Sequence, residues 1–470
     1  MDYSAANVEL WNGIIQLAII AAALLVAHFL RRVIPFVRKS LMPTAVLAGF
    51  ILLILKATGV LKLDADFLEW LTYHGIAIGF IAMSLKVPER TAESKGNLTG
   101  IRSGAVIVGT YMIQGLVGLG VTLLLAKTFM PNLFPASGVL LPMGYGQGPG
   151  QANNIGKTFE ALGFAGGRSF GLAIAAAGYL CACIIGVIYI NVIVKTGKFR
   201  KGKEEGIERE EITVSTFQDE GELPISESID RFSIQLVLVI LVYLLTYLLT
   251  RGICALLQVV APGVLGTVET LLWGFNFIIG SALAILVRFI FAKLRKQKVM
   301  HNQYQNNYLL SRISGVAFDL MITAGIASID FGDLSGLWVP FIILVVLGAV
   351  VTFFHLRYVC KKVYGDYYYE GLVSMYGMMT GTISSGILLL REIDPDLKTP
   401  AANNLVLGST FGILLGAPLL ILVSLASKSF EMALVTLGLL AVYYVAMLLV
   451  VNLKRKKKTE TAGENTEGTK

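Results

Sequence analysis

The chain has 470 residues, of which 55% are hydrophobic and 15% charged, with a net charge of +8 and a mean hydropathy of +0.71. Soluble domains carry about a quarter charged residues, so a water-soluble globule is excluded, and runs such as Leu236–Thr250 lack the alternation of a transmembrane β-strand. The positive excess sits in loops and at the C-terminus, a pattern that orients a chain in a bilayer and gives no reason to expect a nucleic-acid partner.

A spanning helix needs roughly 20 apolar residues. The sequence predicts an all-α polytopic membrane protein with about eleven such spans, at 10–30, 41–61, 66–86, 103–126, 169–194, 231–250, 267–292, 309–328, 337–356, 401–427 and 431–452. The N-terminal stretch before Gly13 has neither the positive flank nor the cleavage site of a signal peptide, so the first run is expected to stay as a helix. The basic stretches at 31–39, 86–102, 195–211, 288–298, 357–362 and 453–458 all fall on one face of this count. That face is expected to be cytoplasmic in a cell membrane, with the N-terminus outside and the C-terminus inside.

The polar stretch 195–230 is too poor in apolar residues to offset the entropy of ordering it and reads as a cytoplasmic linker. It separates a five-helix half (1–194) from a second five-helix half (231–427), with 428–470 adding one more helix and a basic tail. Because five is odd, equivalent helices of the halves must run in opposite directions, an inverted-topology repeat.

Each half contains an apolar segment that cannot stay helical. In the first, about 138–164, glycines at 144, 146, 148 and 150 surround Pro149; interior Gly costs about 1 kcal/mol and Pro about 3. In the second, about 370–397, Gly377, Gly381 and Gly386 interleave with Thr380, Thr382, Ser384 and Ser385. Irregular backbone at membrane depth is tolerated where it is buried in protein or lines a wet cavity. Two re-entrant loops are therefore expected, entering from opposite faces and meeting near the midplane. Paired interruptions of this kind point to a transporter's binding site.

These loops, the five-span halves and the Met42–Gly49 start of the second span resemble the bacterial sodium/glutamate symporters, over most of the chain to about residue 427. The family's Gly-Gly-His-Gly-Thr-Gly core matches Tyr145–Gly150 here, with Gln147 in place of His and Pro149 in place of Thr. Its Gly-Phe-Gly-Leu-Gly-Ala-Thr-Pro-Thr loop is similar to Gly377–Ser385, which keeps Gly377 and Gly381 but lacks the proline. The resemblance implies Na+-coupled uptake of an acidic amino acid, a homodimer, and movement of the loop-bearing part against a scaffold. The family's ten-span layout lacks the last span.

Candidate solute- or ion-binding residues follow from polar chemistry near these loops: Gly146, Gln147, Gly148, Gly150, Gln151, Asn153 and Asn154 in the first half, and Gly377, Thr380, Gly381, Thr382, Ser384, Ser385, Asn403 and Asn404 in the second. Amides donate and accept together, which suits a zwitterion and a cation alike; capping of the following helices is the competing role of the asparagines. Asp319 lies about half a span deep, where an isolated carboxylate costs roughly 2.5–3.5 kcal/mol, and reads as a Na+ ligand, a proton site or an interhelical hydrogen bond. Arg168 could take a substrate carboxylate but reads more readily as an interfacial residue, and His74 as a satisfied structural one. Lys157, Glu160 and Glu392 mark the loop ends near water.

Cys181, Cys183, Cys254 and Cys360 show no pairing or metal-ligand spacing. No phosphate-binding or catalytic motif is present, so neither a cofactor nor an enzymatic activity is expected. The reading is Na+-coupled symport of glutamate or a related small carboxylate; alternatives are another small solute, proton coupling through Asp319, and, less favoured, a passive channel.

Overall fold

In hydrocarbon a backbone must satisfy its own hydrogen bonds, and the long apolar runs do so as helices whose ends are capped by polar side chains at their margins. Asn7 accepts from the Leu10 amide to start α1 (Val8–Val33), and Asp64 accepts from Asp66 and Phe67 to start α4 (Ala65–Leu85). A computed structural model describes residues 3–4, 7–87, 98–196, 231–260, 262, 269, 272–274, 276–394 and 399–453, with the side chains of 410 and 414 excepted. Most of the expected linker, the start of the span expected at 267 and the basic tail lie outside the described residues.

Between α1 and α4 run the short α2 (Pro35–Lys39) and α3 (Thr44–Ala57), and after them α5 (Leu98–Thr128). A 3-10 turn at Pro135–Val139, a π-turn at Pro142–Gly146 and α6 (Pro149–Ala161) precede α7 (Gly167–Lys195). The second half holds α8 (Arg231–Val260), α9 (Asn276–Lys296), α10 (Asn307–Ala327) and α11 (Trp338–Val363). It continues with α12 (Tyr368–Thr380), α13 (Ile383–Arg391), α14 (Ala401–Ala426) and α15 (Phe430–Val451). Nine described helices are long and apolar enough to span a bilayer; α14, bent by 53° between Ile413 and Leu415, makes a tenth, and α3 is a shorter apolar helix. Pro418 accounts for the bend: it has no amide to donate, and its ring crowds the carbonyl four residues back. Tyr443 of α15 donates its hydroxyl to the Leu415 carbonyl beside that bend.

The helices pack as two bundles. One is built from α1, α3, α4, α8, α9 and α10; the other from α5, α6, α7, α11, α12, α13, α14 and α15. Each half of the sequence thus gives helices to the first bundle and then two long helices flanking an interrupted segment to the second. The bundles touch chiefly where α6 meets α4 and α10, and where α7 meets α10.

Close packing within the second bundle depends on missing side chains. A Cβ on Gly118 would lie 2.1 Å from the Gly138 carbonyl oxygen, and one on Gly138 2.0 Å from that of Gly118. Small residues serve membrane helices in this way, because lipid offers no hydrophobic drive toward association and contact must come from close approach.

Candidate functional site

The first interruption is set by Gly148, whose φ of +93° and ψ of −177° belong to glycine alone, and by Pro149, which starts α6 and forbids a helical residue before it. The preceding turn closes with the Gln147 amide on the Pro142 carbonyl. The second lies at Gly381, which leaves the helical region without becoming extended, and Thr382, which is extended, after which α13 begins with the Gly386 amide on the Thr382 carbonyl. The arms of this second segment fold back on each other: a Cβ on Gly377 would be 2.9 Å from the Gly386 Cα, and one on Gly386 2.5 Å from the Ser374 carbonyl oxygen. Gly377 is therefore a packing residue of a helical hairpin. Thr380 returns its hydroxyl to the Tyr376 carbonyl and faces its own helix.

The two breaks adjoin. A Cβ on Gly148 would sit 3.7 Å from the Thr382 methyl and 3.9 Å from the Gly381 carbonyl oxygen. Beside them, between the bundles, lies a cavity of about 300 Å³. Gly146, Gln147 and Gln151 line it from the first break and Gly381, Thr382 and Ser384 from the second, while Asp319 of α10 lines it from the opposite bundle. The N-termini of α6 and α13, with amides that have no intrahelical acceptor, both start at this cavity.

Several buried oxygens here complete no hydrogen bond of normal geometry: Gln114 Oε1, Tyr179 OH, Thr382 Oγ1 and Ser385 Oγ. Gln114, on α5, is fully buried. Its Nε2 donates to Thr352 Oγ1 and to the Met379 carbonyl, both at 2.9 Å. That leaves Oε1 aimed at the first break, 2.9 Å from where a Cβ on Gly146 would be. An uncompensated buried acceptor costs roughly 1–3 kcal/mol, so a cluster of them marks a place built for a donor or a cation. Gln114 was not among the sequence candidates, although a lone amide inside a span is a recognised signal of function.

The asparagines part from this group. Asn153 and Asn154 line a second cavity of about 460 Å³, with Glu69, Tyr73, Lys157, Glu160 and Trp273. Asn154 donates to the Gly274 carbonyl at 2.8 Å, and Asn153 Oδ1 is buried without a partner. Gly150 sits between the two cavities, where a Cβ would press on Ile76 at 2.4 Å. Asn404 donates to the Tyr367 hydroxyl at 2.8 Å, away from both cavities, and Asn403 is exposed. Arg168 is engaged with Glu69 at 2.5 Å, which also receives Lys157 at 3.3 Å. His74 Nδ1 meets the Tyr243 hydroxyl at 2.6 Å, the satisfied role expected of it. No group of acidic, His or Cys side chains among the described residues is arranged to hold a metal ion.

Long apolar helices packed around an internal cavity at two apposed helix breaks define a polytopic membrane protein with a polar centre. Residues 11–384 match the family model of the sodium/glutamate symporters, and the chain belongs to that family, a family of membrane transporters. The match ends inside α13, short of the resemblance expected to about residue 427, so α14 and α15 lie beyond it. A search of curated proteins returned no match.

Proposed function

We propose that this protein is a sodium-coupled symporter of glutamate or a related small carboxylate, and that the cavity beside the two breaks is its transport site. The observation that carries the reading is the apposition of Gly148 with Gly381 and Thr382 between the bundles. In this reading both interrupted segments are re-entrant loops of an inverted repeat, and unwound backbone is stable there because it lines a wet cavity. The α6 and α13 N-termini offer amides and positive dipole ends to a carboxylate. The oxygens of Gln114, Thr382, Ser385 and Tyr179 beside the two breaks would supply the hard ligands that Na+ requires.

Alternating access would shift one bundle past the other. The cavity is lined by Met83 near the end of α4 and Gly315 near the start of α10. With the N-terminus outside, that end would face the cytoplasm. The chain would act as a homodimer. Coupling requires that Na+ and solute each strengthen the other's binding by about 1–3 kcal/mol.

The test is radiolabelled glutamate uptake into proteoliposomes. Accumulation against a gradient is expected with an inward Na+ gradient and none when choline replaces Na+. Accumulation driven by a pH gradient in choline would transfer the coupling to protons, and flux that never exceeds equilibration would make the protein a passive pore.

A further inference from the structure

Asp319 is the only charged side chain that lines the central cavity among the described residues. It is exposed on the cavity wall and forms no ion pair or hydrogen bond with a described residue. A carboxylate held inside a membrane protein without a counter-charge is an expensive arrangement unless a cation arrives with function. Three cations could serve: the coupling ion, a proton or a charged group of the solute itself.

The surroundings separate them. The wall beside Asp319 is aromatic and apolar: Phe80, Phe277 and Phe318 line the cavity, with Phe80 packed 5.3 Å from Phe277 and 5.4 Å edge-on to Phe318. A small hard cation needs a shell of several oxygens, and this wall adds to the carboxylate only the Ser281 hydroxyl, which is already given to the Phe277 carbonyl. An organic ammonium is satisfied by a carboxylate together with ring faces. The oxygens suited to Na+ belong to the other bundle: Thr382 Oγ1 lines the cavity from the second break, and Gln114 Oε1 lies behind the first, at Gly146.

Resting on the symporter reading, we infer that Asp319 is a specificity-determining residue that seats the α-ammonium group of the solute. The solute then bridges the bundles, with its α-carboxylate at the N-termini of α6 and α13 and its ammonium on α10.

The experiment is competition against Na+-driven glutamate uptake in proteoliposomes by 2-hydroxyglutarate, which has a hydroxyl in place of the ammonium. With the wild-type chain, 2-hydroxyglutarate should compete at least about 100-fold more weakly than unlabelled glutamate. In Asp319→Asn the half-saturating glutamate concentration should rise about tenfold or more, the ratio of the two competitors should fall below about ten, and the Na+ midpoint should stay put. Asp319→Glu should keep the wild-type ratio, and Asp319→Ser provides the neutral variant if the asparagine form does not insert. Equal ratios in wild type and neutral variant overturn the inference, as does a shifted Na+ midpoint with the ratio intact, which would make Asp319 an ion ligand. Absence of any Na+-driven uptake by the wild type overturns the symporter reading, and this inference with it.

Discussion

Glu69 of α4 and Arg168 of α7 join the two bundles through a 2.5 Å contact, and Lys157 of α6 reaches the same carboxylate oxygen at 3.3 Å. Glu69 and Lys157 also line the second cavity, so the pair ties the bundles together beside it. Arg168 is 13% exposed and Glu69 25%, against 55% for Lys157. Arg168 therefore supplies most of the interaction, and water screens the lysine.

Glu69→Gln should loosen this tie. Loss of a partly buried charged hydrogen bond is worth about 1–2 kcal/mol here, which, on the alternating-access proposal, changes the balance between its two states by roughly 5- to 30-fold. A cysteine introduced as Thr158→Cys, in the second cavity, reports the change: a membrane-impermeant thiol reagent should label it faster from outside in the Glu69→Gln background. Equal rates in both backgrounds would show that the ion pair does not hold the bundles together there.

Gln114→Leu removes the unpaired Oε1 and also frees the Met379 carbonyl, while Thr352→Ala removes only one of the two bonds that aim the amide. If Oε1 helps to hold Na+, the Na+ concentration for half-maximal uptake should rise by about tenfold in the leucine variant, equivalent to about 1.4 kcal/mol. The alanine variant should show a smaller shift in the same direction. A leucine variant with lower thermal stability and an unmoved Na+ midpoint would assign Gln114 to packing.

How far the site was legible in the sequence follows from what each residue's neighbours contribute. Helix type was readable because a spanning helix is written in one continuous apolar stretch, though of about eleven expected spans nine or ten described helices qualify and the one expected at 41–61 is the shorter Thr44–Ala57; Gly148 with Pro149 announce a break by local chemistry alone. The fate of a polar side chain depends on distant elements. Asn153 and Asn154 follow the break closely yet belong to the second cavity, because α6 turns them away from the residues on its first turn. Asn404 looks equivalent to them in sequence and is taken up by Tyr367, 37 residues earlier in the chain. Gln114 lies outside both interrupted segments, and only the packing of α5 against α11 and α12 brings it to the first break.

Gly118→Ala and Gly138→Ala should each destabilise the second bundle without touching the cavity. Each added methyl would overlap a backbone carbonyl at about 2 Å, and rigid backbone cannot step aside as a side chain can, so a cost at or above about 1–3 kcal/mol is expected. Gly120→Ala, where the same methyl meets open space, is the control. Melting temperatures in detergent should fall for the first two and stay level or rise for the third. Three equal values would contradict the close approach of α5 to the Pro135–Val139 turn.

Asp64 gives the start of α4 an acid limit. Its carboxylate accepts from Asn12 Nδ2 at 2.5 Å and from the Phe67 and Asp66 amides at 3.2 and 3.0 Å. The Asn12 bond, followed by that from the Phe67 amide, holds the carboxyl below its ordinary value of 3.8. A carboxyl lowered by folding contributes stability that is fully present above the unfolded value and is lost as pH falls through the folded one. Thermal melts of the detergent-solubilised protein should therefore be insensitive to Asp64 above about pH 5 and weaken below pH 3.8. Asn12→Ala removes the largest cause of the lowering, so its carboxyl should titrate nearer 3.8 and the acid loss attributable to Asp64 should shrink. Asp64→Asn, which still caps α4, should remove that part of the acid dependence altogether. Superimposable wild-type and Asp64→Asn profiles between pH 3 and 6 would show that this cap does not govern the acid limb.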